Sequence, residues 1–162
     1  MEFDHKKQFN NDEEIHIYKE EDFKEGGPYT YDSSSSSRYK MMELPFRLEG
    51  LKAKKSELDP ASVTGVSKMC WSFDSKYLAT KSENSSNTVY IWDMTSLKLH
   101  VILIHQSPIK SMHWSACSIH LAIATASPRI FIWSLGGASV CDIPIEGAKE
   151  FLVHKVKWNP NG

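Results

Sequence analysis

The apolar residues of this chain change their spacing near Val66. Before that point they are sparse and set among charges. Within residues 1–38 one short patch, "IHIYKE", alternates apolar and polar side chains and predicts a strand near residues 15–19. The rest of that stretch is polar and acidic and runs into "YDSSSSSR". It holds too little apolar surface to offset its ordering entropy, so it is expected to be mostly disordered. Ser33 to Ser37 read as a flexible linker or loop, with a phosphorylated loop as the minor alternative. Residues 39–65 are transitional. "YKMMELPFRL" has strand character, and "KAKKSELDPASVTG" reads as a loop with Pro60 and Gly65 as breakers.

From Val66 onward the segments are short, rich in β-branched and aromatic residues, and separated by turn signals. "VSKMCWS", "YLATKS", "TVYIWDM" and "LHVILIH" read as four strands, with turns at "FDSK", "ENSSN" and "TSLK". The pattern then restarts. "PIKSMHWSA", "HLAIATAS", "RIFIWSL" and "SVCDIPIE" read as four more strands, and "HKVKWNPNG" as the beginning of a third set. No segment shows a 3.6-residue apolar period.

The tryptophans mark the repeat. Trp71, Trp114 and Trp158 each close a first strand and lie 43 and 44 residues apart, while Trp92 and Trp133 close third strands 41 apart. A four-strand unit of this period whose third strand ends in Trp-Asp, here Trp92-Asp93, is the signature of a WD40 repeat. The second unit carries Trp133-Ser134 in its place. Each such unit is a small twisted antiparallel sheet that cannot bury both faces alone, so it stacks on its neighbours. The expected fold is therefore all-β: a partial WD40 β-propeller with blades at 66–106 and 107–152 and the first strand of a further blade at 153–162. Two blades and a start do not close a propeller, so the chain is expected to be a fragment.

The indole N–H of a buried tryptophan needs an acceptor. In WD40 families that acceptor is typically a second-strand hydroxyl, linked through a His before the first strand and an Asp before the third. Thr80 and Thr125 are the hydroxyls that match, and His105 falls where the family's Gly-His lies, with no Gly before it. Ser86 and Ser127 stand where the turn Asp is expected, so a complete network is not expected in either blade.

Charge and cysteine content narrow the setting. The formal net charge is −1, which sets up no global field for nucleic acid or anionic membrane. It is unevenly spread. Residues 1–25 hold nine acidic and four basic residues, leaving eleven acidic and fifteen basic in the remainder. Lys52, Lys54 and Lys55 read as a solvated loop. Cys70, Cys117 and Cys141 are odd in number and fit no zinc spacing; they read as reduced thiols in or near a core. No apolar run reaches the ~18 residues of a membrane span, and the N-terminus lacks a signal peptide's apolar stretch. These features point to cytoplasm or nucleus.

Catalytic and metal chemistry finds no motif. The histidines have no HxH or HExxH spacing, and no GxSxG occurs. Gly136-Gly137 reads as a hairpin turn between third and fourth strands, because a phosphate loop needs a following helix. Lys110, Lys155 and Lys157 point outward if Ile109, Met112 and Val156 face a sheet interface. No cofactor, metal or small-molecule substrate is expected.

A more particular likeness is carried by "YKEEDF", "YKMMELPFRLEGLK", "FDSKYLATKSENSSNTVYIWDM", "QSPIKSMHW" and "RIFIWSLGGASVCDIPIEG". Together they resemble the WRAP-type centrosomal and spindle-pole WD-repeat family, from about Ile15 to Gly162. That resemblance implies a non-catalytic scaffold at centrosomes or spindle poles. It would help anchor microtubule minus ends with a coiled-coil partner, in spindle assembly and cilium formation. No motif marks the partner-binding residues. The competing expectation is a generic WD40 adaptor of a ubiquitin-ligase or RNA-processing complex, since one fold serves many functions.

Overall fold

The computed structural model describes residues 8–10, 13–23, 36–48, 65–143 and 151–161. Strands β1 (Gln8–Phe9), β2 (His16–Phe23), β3 (Ser36–Met42) and β4 (Phe46–Arg47) precede the repeats. The first blade comprises β5 (Val66–Trp71), β6 (Tyr77–Ser82), β7 (Thr88–Asp93) and β8 (Lys98–Ile104). The second comprises β9 (Ser111–Trp114), β10 (His120–Ala124), β11 (Arg129–Ser134) and β12 (Gly137–Asp142). Each blade is an antiparallel meander in sequence order. The architecture is an all-β, partial and unclosed propeller.

Local chemistry sets the turns. After β5 the Ser72 hydroxyl donates to Asp74 Oδ1 at 2.7 Å and accepts the Tyr77 N–H at 2.9 Å, which holds Ser75 at φ 60°. After β7, Asp93 accepts the N–H of Thr95 at 2.8 Å and the hydroxyl of Ser96 at 3.0 Å, closing the turn into β8. "ENSSN" is a single 3₁₀ turn, Glu83–Ser85, capped by the Ser82 side chain. Ser134 pairs with Gly137, so the hairpin turn is Leu135–Gly136 and Gly137, at φ 125°, already belongs to β12.

The N-terminal region departs from expectation. The strand anticipated near 15–19 spans eight residues as β2, and Ser36 to Arg38, grouped by sequence with a mostly disordered segment, lie in β3. β2 and β3 form an antiparallel hairpin, and β2 pairs in parallel with β8, His16 opposite Val101 through Lys19 opposite Ile104. The first blade thereby becomes part of a six-stranded sheet. Local composition undervalued this segment because its backbone partners lie some eighty residues away. Ser33 to Ser35, the lysine cluster at 52–55, and the residues after Ile143 assigned to the eighth strand lie outside the described residues.

Strand alternation divides the apolar side chains into layers. Ala79, Val89, Ile91, Val101 and Leu103 of the first blade meet Ile109, Met112, Trp114, Leu121, Ile123, Phe131 and Trp133 of the second in the largest core. The opposite face of the first blade, with Leu78, Tyr90, Trp92 and Ile102, is covered by Phe9, Ile15, Ile17 and Leu48. The opposite face of the second blade, with Ala122 and Ala124, is covered by Val153 and Val156.

Two further expectations are corrected. The described part of the 153–162 segment is not a ladder strand. It lies along the second blade, with the Val153 N–H donating to Ser127 O at 3.0 Å and Ala126 N–H donating to Val153 O at 3.1 Å. A strand needs a neighbouring strand for its remaining groups, and none pairs with it among the described residues. The cysteines are not all core thiols either: Cys70 is half-buried, whereas Cys117 and Cys141 are exposed. Burial pushes the Cys70 thiol up to about 11, against the opposing pull of Lys68 and a bond from Trp114.

Candidate functional site

The seam where blades stack is built from one repeated triad. Val66, Met69 and Trp71 recur as Ile109, Met112 and Trp114, and again as Val153, Val156 and Trp158. Ile109, Met112 and Trp114 are buried between the blades, at 2%, 5% and 5% exposure. The Trp114 indole N–H donates to the carbonyl of Cys70, the residue before Trp71, at 3.0 Å. The Trp158 indole N–H donates to the carbonyl of His113, the residue before Trp114, at 3.0 Å. Trp114 and Trp158 thus reach back to the same point on the first strand before them. A buried N–H is satisfied and a large apolar body fills the inter-sheet gap in one move. Trp114 and Trp133 meet edge-to-face at 5.9 Å beneath Tyr77.

The third-strand tryptophans behave differently from each other. Trp92, 7% exposed, donates from Nε1 to Thr80 Oγ1 at 2.9 Å, the bond expected from sequence. In the second blade the register places Ile123 opposite Phe131 as Thr80 stands opposite Tyr90. Ile123 therefore holds the hydroxyl's position. Thr125 lies two residues beyond, and its hydroxyl pairs with Ser127 Oγ at 3.1 Å. The shared "AT" dipeptide misleads, because it is displaced by two residues relative to Leu78 and Leu121. Asp93 caps its own turn.

His105 joins no Thr80–Trp92 network. It is buried beneath the N-terminal hairpin, with its ring 4.7 Å from Phe131 and the Tyr39 hydroxyl 3.3 Å from both ring nitrogens. Burial holds its pKa down to about 3, so it is neutral. Burial, and then the nearby Glu20, raise Tyr39 well above the usual phenol range.

Glu20 was not singled out by sequence, where it is one carboxylate of an acidic run. Here it is 5% exposed. Its oxygens accept the Ser37 hydroxyl and the Gln106 N–H, each at 2.8 Å, and Arg129 Nη1 lies 4.0 Å away. Arg129 Nε also donates to Asp142 at 2.9 Å. One carboxylate therefore ties β2, β3, the loop after β8 and β11 together. Beside it a cleft of about 510 Å³ opens between β4 and β8, with an apolar floor of Met42, Phe46, Leu48 and Ile104 and with Lys19 and Arg47 among its lining residues. Among the described residues no group of three His, Cys, Asp or Glu side chains could hold a metal, and no helix is long and apolar enough to cross a membrane.

No protein-family model matches the chain. Over 130 residues it is 35% identical to the mouse "WD repeat-containing protein WRAP73", an alignment that takes in 80% of this chain and 27% of that protein. The chain is a WD40-repeat protein. "Protein HIR1" of Cryptococcus neoformans is 28% identical over 105 residues, 62% of this chain and 12% of its own length. The β-propeller domain of Cps50 (Swd1) from Myceliophteria thermophila, a crystal structure, is 24% identical and overlays 45% of this chain and 23% of its own at a TM-score of 0.38. The WD40 chain thus spans roughly a quarter or less of these relatives' lengths.

Of the residues named from sequence, Trp92 and Thr80 meet directly. Trp114 and Trp158 occupy equivalent seam positions, and Trp133 packs against Trp114. Trp71 is half-exposed, and His105 lies elsewhere. The seam triad was legible as an apolar-x-x-apolar-x-Trp motif starting at 66, 109 and 153. Sequence marks its tryptophans and places Ile109, Met112 and Val156 at a sheet interface, and leaves Val66, Met69 and Val153 unmarked.

Proposed function

We propose that this WD40 chain is part of a non-catalytic scaffold at the centrosome or spindle pole. It helps anchor microtubule minus ends alongside a coiled-coil protein, in spindle assembly and in cilium formation. The 35% identity to WRAP73 over 130 residues carries this reading. The specific location and partner rest on the resemblance of the quoted segments to the WRAP-type family. Stacked blades suit the role, since neighbouring repeats build one extended binding surface. A second reading is a generic WD40 adaptor in a ubiquitin-ligase or RNA-processing complex, since one fold serves many functions. The test is live imaging of the tagged full-length protein together with affinity capture. Concentration at spindle poles with a coiled-coil minus-end partner supports the first reading. Diffuse signal with ligase or RNA-processing subunits in the capture sinks it.

A further inference from the structure

We infer that Lys68, Lys81 and Lys110 form a docking site for an acidic segment, rich in Asp and Glu, of a partner protein. Lys68 on β5 stands directly opposite Lys81 on β6 in the strand register. Like charges in that relation, with Cβ atoms about 5 Å apart, destabilise a sheet. Lys110, just before β9, adds a third positive charge from the second blade. The Lys68 ammonium donates to the Lys110 carbonyl at 3.4 Å, and the Lys81 ammonium donates to the Ile109 carbonyl at 3.0 Å. Two ammonium groups are thus gathered onto consecutive carbonyls, beside the residue that carries the third.

The fold does not require lysines at these positions. In the second blade the register puts Ser111 in the place of Lys68 and Ala124 in the place of Lys81. That pair is small, uncharged and buried, at 7% and 0% exposure. Nor do the lysines balance nearby acids. Among the described residues no carboxylate lies within ion-pair distance of any of the three. Burial, and then repulsion by Lys68 and Lys110, hold the Lys81 ammonium below the usual lysine range, and the attraction of Glu83 offsets them only in part. An extra residue, Ser67, bulges β5 immediately before Lys68. Such bulges re-aim the side chain beside them.

The chemistry of the site selects its occupant. An ammonium has more donors than one carbonyl uses. Lys68 and Lys110 are exposed and Lys81 is half-buried, so their remaining donors are open to a ligand. Carboxylates closely spaced along one peptide segment can address several of them at once and relieve their mutual repulsion. A nucleic acid fits less well. Its phosphate backbone calls for an extended positive track, whereas this is a compact spot on a chain of net charge −1. The site bridges the seam between the two stacked blades, so it exists only when they are packed together.

Fluorescence anisotropy on the whole chain tests this, with a fluorescein-labelled peptide of alternating Glu and Gly as the probe. A peptide with Gln in place of Glu and a single-stranded DNA of equal charge are the comparisons. The Glu peptide is expected to bind more tightly than either, and less tightly as salt rises. Lys68→Glu sets opposite charges across the ladder, so the urea midpoint is expected to hold or rise. The same change is expected to weaken peptide binding by about tenfold or more. Should Lys68→Glu not fold, Lys68→Gln with Lys81→Gln is expected to act in the same direction. Lys40→Gln with Lys98→Gln removes as much charge from exposed positions on β3 and β8 and is expected to leave binding unchanged. No binding of the Glu peptide overturns the inference, as does tighter binding of the DNA. So does affinity that survives the Lys68 and Lys81 changes, an equal loss in the Lys40 and Lys98 variant, or a urea midpoint that falls with the affinity.

Discussion

The carboxylate of Glu20 accepts the backbone N–H of Gln106 at 2.8 Å, across 86 residues of sequence. This bond joins the N-terminal hairpin to the loop that leaves the first blade, and the same side chain reaches Ser37 and Arg129. Removing it strands several donors at once. Glu20→Ala is expected to destabilise the fold by about 3 kcal/mol and Glu20→Gln by about 1–2 kcal/mol, read as shifts in the urea midpoint. A change below about 0.5 kcal/mol for Glu20→Ala would show that the hairpin does not depend on this clamp.

Thr80 and Trp92 form a bonded pair, whereas Thr125 and Trp133 do not. A double-mutant cycle with Thr80→Val and Trp92→Phe is expected to give a coupling of about 1 kcal/mol. The parallel cycle with Thr125→Val and Trp133→Phe is expected to be additive within about 0.5 kcal/mol. Equal coupling in both blades would contradict the register that puts Ile123 in the hydroxyl's place.

His105 makes stability depend on acidity in a defined direction. Its pKa is held from the ordinary 6.5 to about 3. Between those values the unfolded chain takes up a proton that the folded chain refuses, so stability present above pH 6.5 is lost as pH falls towards 3. The slope approaches about 1.4 kcal/mol per pH unit. Carboxylates act in the same sense only below about pH 4.5; above that, His100, which burial and then His16 also hold below the ordinary value, adds a share of the slope that His105→Gln leaves in place. His105→Gln is expected to flatten the curve of unfolding free energy against pH there. An unchanged slope would mean that the imidazole is not the titrating group.

Trp114 holds the two blades together. Trp114→Ala is expected to cost about 3–5 kcal/mol by opening the inter-blade core. Trp114→Phe, which keeps a ring but gives up the bond to the Cys70 carbonyl, is expected to cost about 1–3 kcal/mol. Amide exchange should show protection lost first in β9 and β5, the strands that face each other at this seam. Uniform loss across both blades would argue that they unfold as one unit.

The repeat was readable because each strand of a blade pairs with its sequence neighbour, so period, turn residues and terminal aromatics all recur locally. The Thr80–Trp92 bond was readable for the same reason. Glu20 and His105 were not. Their environments are made by β2 docking in parallel beside β8, a pairing between distant segments that leaves no periodic trace. The buried carboxylate looked like one charge among many, and the histidine like a family marker. The position of Ile123 was obscured by a coincidental dipeptide, and only strand register could correct it.

The parallel pairing of β2 with β8 also fixes how the hairpin answers to tension. In a parallel pair, traction on the leading end of one strand and the trailing end of the other runs along the ladder. All rungs from His16 opposite Val101 to Lys19 opposite Ile104 are then strained together and must rupture nearly at once. An antiparallel hairpin drawn apart at its open end gives way one rung at a time. Pulled from the N-terminal side against the trailing end of β8, this chain grips its first blade in shear, the sturdier of the two geometries.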